Sequence, residues 1–139
     1  MLDLEVVKSR LRERGFSLVI AKESKVVFET TEPGVSGFLK AIDKFGKDGL
    51  VGSSIADKVV GRAAAMLCVR CGVEAVYADI LSEGGKNLLE KNGISIQFER
   101  LVPNILNRQK TGTCPFEQVV ATVSDAEEAY EKLKSCIPK

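Results

Sequence analysis

The stretch Ser54-Ile55-Ala56-Asp57-Lys58-Val59-Val60-Gly61-Arg62-Ala63-Ala64-Ala65-Met66-Leu67 decides how the chain is read. It reads as one long, small-residue-rich helix buried at the centre of the fold. Ile55, Val59, Val60, Ala63, Met66 and Leu67 recur at helical spacing, while Lys58, Gly61, Arg62 and Ala65 form a separate stripe. The alanines and the glycine let other backbones approach closely. Ser53 or Ser54 is the expected N-cap and Gly72 the expected stop. Cations on a buried helix point to a site.

Toward the N-terminus, Gly46, Gly49 and Gly52 form a flexible approach to this segment, preceded by an amphipathic helix from Val35 to Phe45 with Phe38, Leu39, Ile42 and Phe45 on one side. Before it, Ser17 to Lys22 and Val26 to Thr30 read as two strands joined by a short polar turn, a β-hairpin. Leu4, Val7 and Leu11 mark a first amphipathic helix ending at Gly15.

Toward the C-terminus, Val73 to Leu81 is a largely apolar strand, Glu83 to Asn92 a helix ending at Gly93, and Ile94 to Val102 a second strand with one wetter face. Strand, helix and strand in this span make a βαβ unit. Pro103 ends it, Asn107 to Thr113 is a polar loop, and Pro115 is placed to open a helix. Ser124-Asp125-Ala126-Glu127 is a capping box for a last helix running to about Cys136. These elements predict an α/β fold, a three-layer α/β/α sandwich with a mixed sheet, antiparallel at the N-terminal hairpin and parallel later.

The 139 residues suit a single domain, 1–139, that buries its own core. Twenty Lys and Arg against 19 Asp and Glu leave no basic field for nucleic acid. There is no apolar run long enough for a membrane span, and Asp3 and Glu5 stand where a signal peptide carries cations. The expected setting is cytoplasmic, with four reduced cysteines. The complete absence of histidine removes the commonest acid–base group and zinc ligand.

In parallel sheets ligands bind beyond the carboxyl ends of the strands. That mouth should collect Asp57, Lys58, Gly61 and Arg62 from the central helix, Ser82 and Glu83 from the turn after the first parallel strand, and Asn107, Arg108, Cys114 and Glu117 from the loop after the second. Lys58, Arg62 and Arg108 could hold a phosphate or carboxylate. They could equally be structural, with Lys58 and Arg62 ion-paired to Asp57, Glu83 or Glu117. Cys114, before Pro115 at a helix start, has a setting that favours a thiolate, with Glu83 or Glu117 the available bases. A partly buried structural cysteine is the competing reading. Cys68-Val69-Arg70-Cys71 has redox spacing but lies at the far end of the central helix, so packing is its expected role.

The order of elements, with Asp57-Lys58-Val59-Val60-Gly61-Arg62-Ala63-Ala64-Ala65, Ser82-Glu83, Leu101-Val102-Pro103, Ile105-Leu106-Asn107-Arg108 and Thr111-Gly112-Thr113-Cys114-Pro115-Phe116-Glu117, resembles an uncharacterised family of small bacterial and archaeal proteins. That family is a domain of unknown function with a cytidine-deaminase-like fold. The resemblance runs from about Ser17 to Val123. Zinc deaminases place His-x-Glu and Pro-Cys-x-x-Cys at two helix starts; here stand Gly61-Arg62-Ala63 and Ser82-Glu83-Gly84-Gly85. The resemblance therefore implies a deaminase-fold protein without the zinc site, metal-independent and without cofactor, with Glu83 kept for an acid–base or hydrogen-bonding role.

Two functions are expected on this reading. The first is binding of a nucleotide-like or other anionic small metabolite, with non-zinc catalysis by Glu83, Cys114 or Glu117 left open. The second is a scaffold or regulatory interaction module acting as a homo-oligomer.

Overall fold

The computed structural model describes residues 2–32, 35–46, 48–105 and 115–136. The elements in order are α1 (Leu2–Arg14), β1 (Leu18–Lys22), β2 (Lys25–Thr30), α2 (Val35–Phe45), a 3-10 turn at Asp48–Leu50, β3 (Ser54–Val60), α3 (Arg62–Cys71), β4 (Ala75–Ser82), α4 (Glu83–Lys91), β5 (Ser95–Val102), α5 (Pro115–Val120) and α6 (Ala126–Ser135). Five strands form one sheet in the order β2-β1-β3-β4-β5. The hairpin and the β1–β3 pair are antiparallel; β3–β4 and β4–β5 are parallel.

The long central helix is corrected: its first half is the central strand. Ile55, Val59 and Val60 satisfy a strand as readily as a helix over so short a span, and periodicity alone cannot separate the two. Pairing on both sides decides it, Ile55 sitting between Ile20 of β1 and Val76 of β4. The helix begins only after Gly61, and Gly72 ends it as expected, at φ 66° with its N–H turned back to Cys68 and Val69.

The hairpin closes through Glu23 and Ser24, both at positive φ (53° and 68°), the two-residue turn whose twist matches its strands. Both crossover helices, α3 and α4, follow strands stepping in one direction across the sheet. They therefore share a face with α2, over a core containing Phe38, Leu50, Ile55, Met66, Leu67 and Leu81. The opposite face is left to α1, whose Leu4, Val7 and Leu11 cover Val19, Ala56 and Tyr77. Each of those three contributes about 2 kcal/mol on burial. α5 and α6 pack outside α3, where Arg70 lies 3.7 Å from the ring centroid of Tyr130 and bonds Glu127 at 2.7 Å. The capping-box reading shifts by one residue: Asp125 caps α6, accepting from the Glu128 N–H at 3.1 Å.

Candidate functional site

The carboxyl ends of β3, β4 and β5 deliver Gly61, Ser82 and Pro103 to one edge of the sheet. A cleft of about 270 Å³ opens there, lined by Arg62, Ser82, Gly84, Asn104, Ile105 and Glu117 among others. A second hollow of about 240 Å³ adjoins it, sharing Arg62 and Gly84 and adding Asn87, Lys91 and Ser124.

The starts of α3 and α4 meet through glycines. A Cβ on Gly85 would lie 3.1 Å from the Gly61 carbonyl carbon and oxygen, so the close approach depends on its absence. Gly61 offers α3 no side-chain cap. The missing acceptor comes from α5: Glu117 takes the Arg62 N–H on Oε1 and the Ala63 N–H on Oε2, both at 2.7 Å. A carboxylate set across two N–H groups at the positive end of a helix is a strong arrangement. It too depends on Gly61, because a Cβ there would fall 2.2 Å from Glu117 Oε1 and 2.7 Å from Ile105 Cγ1. Ser82 performs the same task for α4 within its own chain segment, accepting from the Gly85 N–H at 3.0 Å.

Arg62 reaches over α5. Its Nε donates to the Val120 carbonyl at 3.1 Å and its Nη2 to the Val123 carbonyl. Those oxygens belong to the last residue of α5 and to the turn that follows it, so the cation holds α5 against α3. Neither Lys58 nor Arg62 is ion-paired with Asp57, Glu83 or Glu117 among the described residues, so the expected ionic lacing is replaced by carbonyl and amide contacts.

The structure brings Gly61, Arg62, Ser82 and Glu117 together as expected. Glu83 opens α4 but is exposed and does not line the cleft. Asp57 and Lys58 are corrected: they lie on β3 rather than at a helix start. Lys58 is exposed, and Asp57 is buried in the sheet. The Asp57 Oδ1 accepts from the Val59 N–H at 3.3 Å, two residues on along β3. Burial, then the Asp79 carboxylate nearby, pushes the Asp57 carboxyl up to about 7, against backbone N–H groups that pull it down. Asn107, Arg108 and Cys114 lie outside the described residues.

Cys68 and Cys71 are fully buried on α3, and burial pushes the Cys68 thiol well up, which opposes thiolate chemistry. Lining residues missed from sequence include Gly84, Asn104 and Ile105 in the larger hollow and Asn87 and Lys91 in the smaller. Asn104 follows the strand-ending Pro103, and the rule that placed Ser82 at the mouth would have placed it too.

The donor chemistry at the two helix starts does not fit a zinc ion. Gly61, Arg62 and Ala63 at one, and Ser82, Gly84 and Gly85 at the other, present a guanidinium and a hydroxyl where a tetrahedral site takes thiolate or imidazole. Among the described residues no three His, Cys, Asp or Glu side chains cluster for a metal. No helix among them is long and apolar enough to cross a membrane.

A family model described as a domain of unknown function, DUF1893, matches residues 6–137. The crystal structure of a DUF1893 family protein (TM1506) from Thermotoga maritima superposes with a TM-score of 0.87 at 23% identity, over 97% of this chain and 90% of that one. The dCMP deaminase of the cyanophage S-TIM5 in complex with dCMP and dUMP gives 0.49 at 10% identity, over 68% of this chain and 92% of that one. A diaminohydroxyphosphoribosylaminopyrimidine deaminase/5-amino-6-(5-phosphoribosylamino)uracil reductase from Thermotoga maritima gives 0.49 at 17%, over 69% and 36%. No curated protein matches the chain.

Proposed function

The chain belongs to the DUF1893 family, and from that premise we propose that it binds a small anionic metabolite, nucleotide-like or phosphorylated, in the cleft at the carboxyl edge of the sheet. The observation that carries this reading is the placement of Arg62. Its guanidinium is held by two carbonyls, yet the residue lines both adjoining hollows, and those two bonds use two of the five donors a guanidinium carries. Lys91 adds a second cation in the smaller hollow, and Asn104 a neutral donor and acceptor in the larger.

The combined space suits a small molecule rather than a polymer. Glu117 sets the polarity of the site: its carboxylate already fills the α3 start, so the ligand's charge belongs on the Arg62–Lys91 side. Binding needs nothing beyond these groups, whereas turnover would need a general base free of structural duty. Glu83 lies outside the cleft lining and Glu117 is engaged by two amides, so binding is the role we assign to the site. The cytoplasm is the compartment we assign, since Cys68 is a buried thiol in the core.

Thermal-shift screening against nucleoside phosphates and sugar phosphates tests the proposal, with Gly84→Leu as the probe. Gly84 is shared by the linings of the two hollows and a Cβ there meets nothing within 4 Å, so a bulky side chain is accommodated at their junction. A ligand at a hundred times its Kd stabilises by about 2.7 kcal/mol. The expected result is a melting temperature raised in the native protein and unchanged in Gly84→Leu. Equal shifts in both proteins, or none with either class, would refute the reading.

A further inference from the structure

The two edges of the sheet are treated differently. At one edge, the β1–β2 pair has a register shift between Ile20 and Ala21, β2 begins with Lys25, and Glu29 is held by Arg10 at 2.7 and 3.0 Å. Bulges and charges of this kind discourage further strands. At the other edge, β5 runs for eight residues, Ser95–Val102, in constant register with β4, without proline or bulge and with its two charges, Glu99 and Arg100, adjacent and of opposite sign. Its side chains are exposed or half-exposed throughout, including Phe98 at 36% and Leu101 at 43%. Among the described residues no strand lies beyond it.

We infer that β5 pairs antiparallel with β5 of a second copy of this chain, joining two sheets into one about a two-fold axis at Phe98. Such an axis stands normal to the sheet and keeps every side chain on its own face, so a residue must oppose one an even number of places away. That leaves few registers. Centring on Glu99 or on Arg100 sets like charges directly opposite, which destabilises. Centring on Gln97 pairs only residues 95–99, whereas centring on Phe98 pairs 95–101. The Phe98 register sets ring against ring and covers the exposed aromatic. It also places Glu99 of one copy opposite Gln97 of the other.

The charges fit that register. Lys8 of α1 donates to Gln97 Oε1 at 3.5 Å, and Arg12 lies 3.6 Å from Glu99, so this face of β5 sits under the basic side of α1. In the joined sheet Glu99 of each copy comes beside Lys8 of the other, twice over by symmetry. The arrangement uses β5 and α1 only and is independent of ligand binding in the cleft.

Sedimentation equilibrium of the full chain over the micromolar range tests the inference, in the native protein and in two variants. Phe98→Glu sets two carboxylates on the axis, and Lys8→Glu sets a carboxylate beside the second copy's Glu99. The expected result is a dimer for the native chain, a monomer with an unchanged circular dichroism spectrum for Phe98→Glu, and a dissociation constant raised about tenfold at low salt for Lys8→Glu. A native chain monomeric throughout the range, or a dimer that persists in Phe98→Glu, would overturn it.

Discussion

Replacing Asp57 by asparagine should make the protein more stable at pH 8 and somewhat less stable at pH 4. The side chain is 4% exposed, its oxygen serves the Val59 N–H, and no cation pairs with it among the described residues. Its carboxyl titrates at about 7 in the fold against an ordinary value of 3.8. Between those two values the folded state holds a proton that the unfolded chain has lost. The stabilisation from the neutral carboxyl is therefore complete below about pH 4, falls as pH rises toward 7, and is gone above it. At about 1.4 kcal/mol per pH unit, the full swing is about 4 kcal/mol.

Asparagine keeps the acceptor for Val59 and cannot ionise. It also brings amide hydrogens that need partners, an offset of about 1–2 kcal/mol that does not vary with pH. The discriminating quantity is thus the difference in unfolding free energy between variant and native protein, measured by urea titration at pH 4, 6 and 8. It should move in favour of asparagine by several kcal/mol across that range. A difference flat with pH would refute the assignment of a protonated acid in the β3–α3 layer.

Two further outcomes follow from the α3 start. Gly61→Ala places a methyl 2.2 Å from Glu117 Oε1 and must expel the carboxylate, leaving the Arg62 and Ala63 amides without their acceptor. A loss of about 3 kcal/mol in urea unfolding is expected. Glu117→Gln keeps one acceptor and turns an amide NH2 toward the other N–H. It should cost about 2 kcal/mol and lower the melting temperature by a few degrees, and a neutral result would show that α5 is held by Arg62 alone.

Sequence reading succeeded where a residue's local chemistry permits one outcome. Gly72 reads as a helix stop because an αL end favours glycine, and Pro115 as a helix opening because its missing N–H costs nothing there. The hairpin, α2, β4, α4 and β5 were legible from spacing and turn residues to within a residue or two. The reading failed over Ser54–Val60, where a run that suits helix and strand alike became a strand. That error placed Asp57 and Lys58 in the site, whereas both lie on β3 and only the second half of the stretch belongs to α3.

Composition, glycine and proline positions and apolar periodicity by themselves determined an α/β layered fold with a mixed sheet, because these signals act over a few residues along the chain. Only tertiary structure decided that Ile55 stands between two strands, that Glu117 caps a helix 55 residues before it, and that Arg62 spends its donors on carbonyls. Those outcomes turn on which backbone groups elsewhere in the fold are left unpaired, and no local pattern carries that information.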